Sequence, residues 1–281
     1  MFSFLRRPDA ARTAPPQPVE TGTVRWGRDL DEAVTTAAAT GRPVFALFQE
    51  VPGCAGCRQF GADVLSDPLV VEAIEDLFVP LLIHNNASLG HDAEVLARYG
   101  EPAWNYQVVR FLGSDGDDLI PRRDRVWETG PLLQRMVAAL EAAAAPVPDH
   151  LRLLEQEHSD RLVEVFIAQA CFWVGEHEIG QIDGVVRTEA GFLGGHEVTR
   201  VWFDPEVIDL EALHAEARRR GVATFVARDG TGYRTAPPSD QKRQLGGAHP
   251  DTLTDAQLTK ANAFVGVSRR DAERFRFPSQ R

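Results

Sequence analysis

The chain has 281 residues, of which 41 are acidic and 30 are basic, so its formal net charge is −11 at neutral pH. This acidic balance disfavours a nucleic acid or an anionic membrane surface as the main partner. The apolar runs are too short for a membrane span or a signal peptide, so we expect a cytoplasmic protein. The length of the chain suggests about two domains.

Helix and strand patterns alternate through the first half of the chain. Residues 1–21 are proline-rich and lack periodicity, so they are expected to form a disordered lead-in. Residues 22–145 are expected to form a first domain with the order helix, strand, helix, helix, strand, strand and helix. The predicted segments are 29–40, 43–48, 54–65, 73–77, 78–83, 108–112 and 131–144.

A second unit follows a candidate linker at residues 146–161, which contains Pro146 and Pro148. Residues 162–281 are expected to form the second domain, with strands and helices in the order β-α-β-β-α-β. The predicted segments are 162–170, 171–182, 185–192, 198–203, 210–220 and 222–227, followed by an amphipathic segment at 255–265. This order predicts a ferredoxin-type α/β sandwich, and the whole chain is assigned to the mixed α/β (α+β) class.

Cys54 and Cys57 stand two residues apart, where a buried strand is predicted to turn into a helix. The free N–H groups and dipole at a helix N-terminus stabilise a thiolate, which lowers the pKa of the first cysteine. Two intervening residues let the second sulfur close a disulfide within one helical turn. The pattern therefore predicts a redox pair, while inert buried thiols or part of a metal site remain alternatives. Three cysteines exclude a tetrathiolate zinc site.

The order of elements around this CxxC pair resembles the thioredoxin superfamily over about residues 22–145. The resemblance implies a thioredoxin-like fold whose Cys54–Cys57 pair alternates between dithiol and disulfide. The chain departs from the family at Gly53, where a tryptophan is usual, and at Phe48, where a buried acid is usual. It also has Gln107 where the family places a cis-proline before the strand that faces the pair.

Cys171 stands at a second predicted strand-to-helix junction, so the same dipole argument favours its thiolate. Phe172 and Trp173 follow directly and can form an apolar wall beside the sulfur. Taken alone, these two residues are better explained as core aromatics at the start of a helix.

Residues 170–176 resemble the Gly-Cys-Phe-Trp-Gly motif of type A peptide methionine sulfoxide reductases. Three further segments follow in the family's order, at residues 181–192, 197–205 and 230–235. The roles that the resemblance implies are nucleophile for Cys171, catalytic acid for Glu197, second donor to the sulfoxide oxygen for Tyr233, and methyl-group contacts for Phe172 and Trp173. Taken singly, Glu197 is better explained as a solvated strand residue and Tyr233 as a loop anchor, but the ordered set of four motifs favours the family interpretation.

These residue types suit sulfoxide reduction, because a sulfoxide oxygen leaves only after protonation and a carboxylic acid in an apolar pocket can supply the proton. Attack by Cys171 produces a sulfenic acid and methionine, and this half of the chain contains no second cysteine. Cys54 could then attack Cys171, and Cys57 could release the mixed disulfide. We predict reduction of the S epimer of methionine sulfoxide, free or protein-bound, with no bound cofactor or metal. An external thiol reductant, such as a thioredoxin and NADPH system, would restore the dithiol.

Two alternatives stay open. Only His196 separates the Gly194–Gly195 pair from Glu197, so a loop that the reductase family uses at the rim of its site is almost absent. The chain could therefore be a thioredoxin-like thiol–disulfide oxidoreductase with a catalytically degenerate second half. It could also be a soft-metal or thiol sensor that uses the CxxC pair, with or without Cys171.

Overall fold

Two separate sheets organise the chain in a computed structural model that describes residues 17–102, 107–246 and 251–281. The elements of the first half are α1 (Leu30–Thr40), β1 (Val44–Gln49), α2 (Ala55–Asp63), α3 (Pro68–Leu77), β2 (Val79–His84), α4 (His91–Tyr99), β3 (Val108–Leu112), β4 (Arg123–Asp124) and α5 (Thr129–Ala142). They form a four-stranded sheet in the order β2-β1-β3-β4, in which β1 is parallel to β2 and antiparallel to β3.

Local signals explain most of these elements. The Asp29 side chain accepts a hydrogen bond from the Glu32 N–H at the start of α1, and Gly41 ends the helix with a left-handed φ of 72°. Every residue of β1 is buried, because separate hydrophobic clusters cover the two faces of its sheet. A strand covered on both faces is apolar throughout, which is why β1 was recognisable as a short apolar run.

Sequence patterns do not predict α4 and β4. Helix α4 buries only Val95 and Leu96, so it contains few apolar residues to mark it, and β4 is two residues long. Residues Val19–Thr21 form a 3₁₀ turn in which Glu20 is buried, so regular structure starts before residue 22. Residues 1–16 of the expected disordered lead-in lie outside the described part of the chain.

The second half has the predicted β-α-β-β-α-β order. Its elements are α6 (Asp149–Glu157), β5 (Val163–Ala168), α7 (Phe172–Gly180), β6 (Val185–Leu193), β7 (His196–Phe203), α8 (Leu210–Arg219), β8 (Phe225–Ala227), β9 (Arg234–Thr235), α9 (Asp255–Ala263) and α10 (Arg269–Arg274). The strand order is β8-β5-β7-β6-β9, and all neighbouring pairs are antiparallel. Ile179 of α7 and Leu213 of α8 pack in one core on this sheet, which confirms a mixed α/β architecture.

Helix α6 lies within the segment predicted as a linker and packs on both halves. Leu151 and Leu154 belong to the core of the first half, whereas Leu153 packs with Val186 of the second sheet. The C-terminal tail also returns to the first half, since Phe277 is buried in the same core as Leu151. The domain boundaries at 145 and 162 stay a prediction. No helix in the described ranges is long and apolar enough to cross a membrane.

Candidate functional site

Cys54 and Cys57 meet at the N-terminus of α2. Cys54 is the N-cap residue, and its Sγ lies 3.5 Å from the Cys57 backbone nitrogen, which donates to it. The two Sγ atoms are 3.2 Å apart, and both cysteines are free thiols. A disulfide requires about 2 Å, so a small sulfur movement suffices to close the bond.

The two sulfurs differ in exposure and in acidity. Cys54 is exposed, whereas Cys57 is buried. Burial, followed by the hydrogen bond with Cys54, raises the pKa of the Cys57 thiol to about 12. Near neutral pH, Cys57 therefore keeps its proton and Cys54 is the sulfur that an incoming disulfide or sulfenic acid can reach.

Gly53 is required by the backbone next to the pair. A Cβ atom at this position would lie 2.5 Å from the Glu50 carbonyl oxygen and 2.8 Å from the Cys57 Cβ. This crowding explains why the tryptophan usual in the thioredoxin superfamily is absent here. The Gly53 N–H instead donates to the buried Glu20 carboxylate at 3.0 Å. No local sequence pattern predicts this contact, because the two residues are far apart in the chain.

Glu50 adds a carboxylate to the two thiols. One of its oxygens and the Sγ atoms of Cys54 and Cys57 all lie within 4.8 Å of one another. Thiolates with a carboxylate form a donor set that Zn²⁺ accepts, so these residues could hold a metal ion. Residues 103–106, which precede Gln107 and the start of β3, lie outside the described residues.

Cys171 and Glu197 come together at the N-terminus of α7. Cys171 is the half-buried N-cap residue of this helix. The Glu197 Oε2 atom accepts a hydrogen bond of 2.9 Å from the Phe172 backbone N–H. This bond places the Glu197 side chain at the residue that directly follows Cys171. The β6–β7 hairpin presents Glu197 opposite Phe192.

Three aromatic residues form a wall beside Cys171, and we call Phe172, Trp173 and Phe192 the aromatic wall. The ring centroid of Phe172 is 5.9 Å from that of Trp173 and 5.4 Å from that of Phe192. Ala190 and Ala236 pack against these rings. Phe192 was not singled out from the sequence, because only strand pairing places it beside the start of α7.

The glycine of the family motif is shifted by one position. Val174 stands where the motif has its second glycine, and it is half-exposed. At Gly175, a Cβ atom would collide with the side chains of Gln169 and Thr199. Gly175 therefore lets α7 lie close to the sheet, which is the packing role expected of a glycine at a helix–strand contact.

Tyr233 does not lie with Cys171, Glu197 and the aromatic wall. Its hydroxyl donates to the Glu189 Oε1 at 2.8 Å, and burial followed by this bond raises the pKa of Tyr233 above its ordinary value. Glu189 and Ala190 are neighbours in β6, so their side chains face opposite sides of the sheet. Tyr233 packs on the Glu189 side, whereas Phe172 packs against Ala190. The next residue, Arg234, lies over the Phe192 ring instead.

Comparisons with known proteins find similarity to a thioredoxin-like family and to peptide methionine sulfoxide reductases. A thioredoxin-like family model matches residues 25–106. The peptide methionine sulfoxide reductase MsrA of Vibrio vulnificus is 34% identical over 103 residues, which cover 29% of this chain and 49% of that protein. MsrA of Maricaulis maris is 26% identical over 175 residues, covering 51% of this chain and 77% of that protein. The chain thus spans about half the length of the Vibrio relative.

A solved structure of a DsbH oxidoreductase aligns with a TM-score of 0.36 at 14% identity, over 47% of this chain and 94% of that one. Residues 25–106 are therefore thioredoxin-like, and the similarity to the two MsrA relatives is consistent with a divergent MsrA-like domain in the same chain.

Proposed function

We propose that this protein reduces the S epimer of methionine sulfoxide through Cys171 and takes the reducing electrons from the Cys54–Cys57 dithiol. The observation that supports the proposal most is the Glu197 carboxylate held at the Phe172 N–H, beside Cys171 and the aromatic wall. An acid, a thiol and an apolar surface are the three components that sulfoxide reduction requires.

In the first step the Cys171 sulfur attacks the sulfur of the sulfoxide while Glu197 delivers a proton to the sulfoxide oxygen. The two sulfurs become bonded, the S–O bond breaks, and the oxygen leaves as water with the Glu197 proton and the thiol proton. A water molecule then attacks the Cys171 sulfur, the S–S bond breaks, Cys171 becomes a sulfenic acid, and the released proton returns to Glu197. The substrate sulfur gains two electrons and leaves as methionine, and Cys171 loses the same two electrons. One Glu197 oxygen is occupied by the Phe172 N–H, which leaves the other oxygen to carry the proton.

In the second step Cys54 attacks the sulfenic sulfur, water leaves, and a Cys54–Cys171 disulfide forms. Cys57 then attacks Cys54 across the 3.2 Å that separates their sulfurs and releases Cys171 as a thiol. An external thiol reductant, supplied ultimately by NADPH, restores the Cys54–Cys57 dithiol. Formation of the Cys54–Cys171 disulfide requires the two sulfurs to come within about 2 Å of each other during turnover.

Single cysteine variants test this proposal. With dithiothreitol as reductant, C54S should keep sulfoxide reductase activity and C171S should lose it, because dithiothreitol can resolve the sulfenic acid directly. With thioredoxin and NADPH, both variants should be inactive. The C57S variant treated with methionine sulfoxide should accumulate a Cys54–Cys171 disulfide, detected by mass spectrometry of non-reduced peptides, and C57S/C171S serves as the control. Activity that persists in C171S would contradict the proposal.

A second candidate function is disulfide exchange by the first half alone. It is favoured by Tyr233, which is bonded to Glu189 on the opposite face of the sheet from the aromatic wall. The second half would then be catalytically degenerate. Reduction of a protein disulfide that requires Cys54 but not Cys171, together with no turnover of methionine sulfoxide, would favour this function.

A third candidate is a soft-metal or thiol sensor, which is favoured by the approach of Glu50 to both sulfurs of the pair. The reduced protein would then bind about one Zn²⁺ per chain, and E50Q and C54S would each weaken the binding. Metal analysis of the reduced protein after titration with zinc measures this directly, and an oxidised sample is the matched control.

A further inference from the structure

Two arginines border the aromatic wall. The guanidinium carbon of Arg234 lies 5.4 Å from the centroid of the Phe192 ring. That of Arg243 lies 5.2 Å from the centroid of the Trp173 ring. Both side chains belong to exposed residues. The apolar surface beside Cys171 therefore has a positive charge at two of its borders.

Neither guanidinium is neutralised by a carboxylate in the part of the chain that the structure describes. Among the residues that the structure describes, Arg243 donates to the Ser239 carbonyl oxygen alone, at 3.4 Å. By contrast, Arg200 in the same half is paired with Glu164, and Arg220 is paired with Glu178 and Glu216. With 41 acidic residues against 30 basic ones, the chain does not lack carboxylates that could pair with an arginine. The two free charges beside Cys171 are thus a property of this site.

The segment between the two arginines forms an open, mostly apolar pocket of about 580 Å³. Its lining residues are Thr235, Ala236, Pro237, Pro238 and Gln241. Ala236 is buried against Phe172, so the pocket adjoins the aromatic wall. An apolar pocket with cationic borders is complementary to a molecule that has an apolar chain and a carboxylate.

We infer that the Cys171 site selects sulfoxides that carry a carboxylate close to the sulfoxide group, and that Arg234 and Arg243 bind this carboxylate. The inference rests on the proposed function and specifies its substrate class. A guanidinium binds a carboxylate through charge-assisted hydrogen bonds, often in a bidentate manner. Because both arginines are exposed, solvent screening limits the gain, and we expect a preference of about tenfold over an uncharged analogue.

The experiment compares N-acetylmethionine sulfoxide, which has a free carboxylate, with its uncharged methyl ester, and dithiothreitol is the reductant. We expect kcat/KM for the acid to exceed that for the ester about tenfold in the natural protein, and this ratio to approach one in R234Q/R243Q. Raising the salt concentration should lower the ratio in the natural protein only. R218Q is the matched control, because Arg218 is an exposed residue of α8, and in the described structure it has no ion pair.

Blocked tripeptides with aspartate or lysine before methionine sulfoxide distinguish a neighbouring acidic residue from the carboxylate of methionine itself. A preference for the acid or for the aspartate peptide that disappears in R234Q/R243Q supports the inference. Equal kcat/KM for all charged and uncharged substrates in the natural protein overturns it and leaves the proposed function intact. No turnover of any of them refutes the proposed function and this inference with it.

Discussion

Replacement of Phe277 by alanine should destabilise the first half of the protein, although this residue lies four positions from the C-terminus. Phe277 is fully buried in the core of the first sheet. Its ring centroid is 4.4 Å from that of His150 in α6. Loss of the buried ring costs about 2–3 kcal/mol in transfer free energy, and the cavity raises the total to about 3–5 kcal/mol.

Urea unfolding of F277A, followed by tryptophan fluorescence and circular dichroism, measures this loss. Trp26 and Trp127 pack against the first core and report on it. The matched control is V267A in the same tail, since Val267 is 55% exposed and its loss should change the free energy of unfolding by less than about 0.5 kcal/mol. A change below about 1 kcal/mol in F277A would refute the assignment of Phe277 to the first core.

Three further predictions concern titratable groups. Burial lowers the pKa of His150 below 6.5, so the unfolded chain binds a proton more readily, and the free energy of unfolding should fall as the pH drops below about 6.5. An H150Q variant that keeps the same slope in acid denaturation would contradict this. Because the pKa of Cys57 is raised to about 12, iodoacetamide at pH 8 should label Cys54 and leave Cys57 unlabelled in peptide maps of the reduced protein; equal labelling would refute it. Glu176 is fully buried, and its Oε1 lies 2.7 Å from the Lys242 Nζ. K242M should therefore lower the free energy of unfolding in urea by about 3–5 kcal/mol, because it leaves an unpaired buried charge, and E176L/K242M should recover most of this loss. Similar stability of the single and double variants would exclude this explanation.

Sequence patterns determined the helix ends, buried strands and strand-to-helix junctions, because each depends on residues that are close together in the chain. Helix α1 is marked by its cap at Asp29 and its end at Gly41, and the strands buried on both faces appear as apolar runs. The CxxC pair and Cys171 were placed at helix N-termini for the same reason, since a strand-to-helix junction is encoded within a few residues. The proximity of Glu197 to Cys171 was expected only from the resemblance to a family.

The tertiary structure alone decided which side chains share a surface. A shift of one residue along a strand moves a side chain to the other face of the sheet. In the two-residue strand β9, pairing with β6 places Arg234 over Phe192 and leaves the neighbouring Tyr233 bonded to Glu189 on the opposite side. The return of Phe277 to the first core joins segments more than 100 residues apart in the chain. Such contacts depend on packing between distant segments, and no local pattern in the sequence records them.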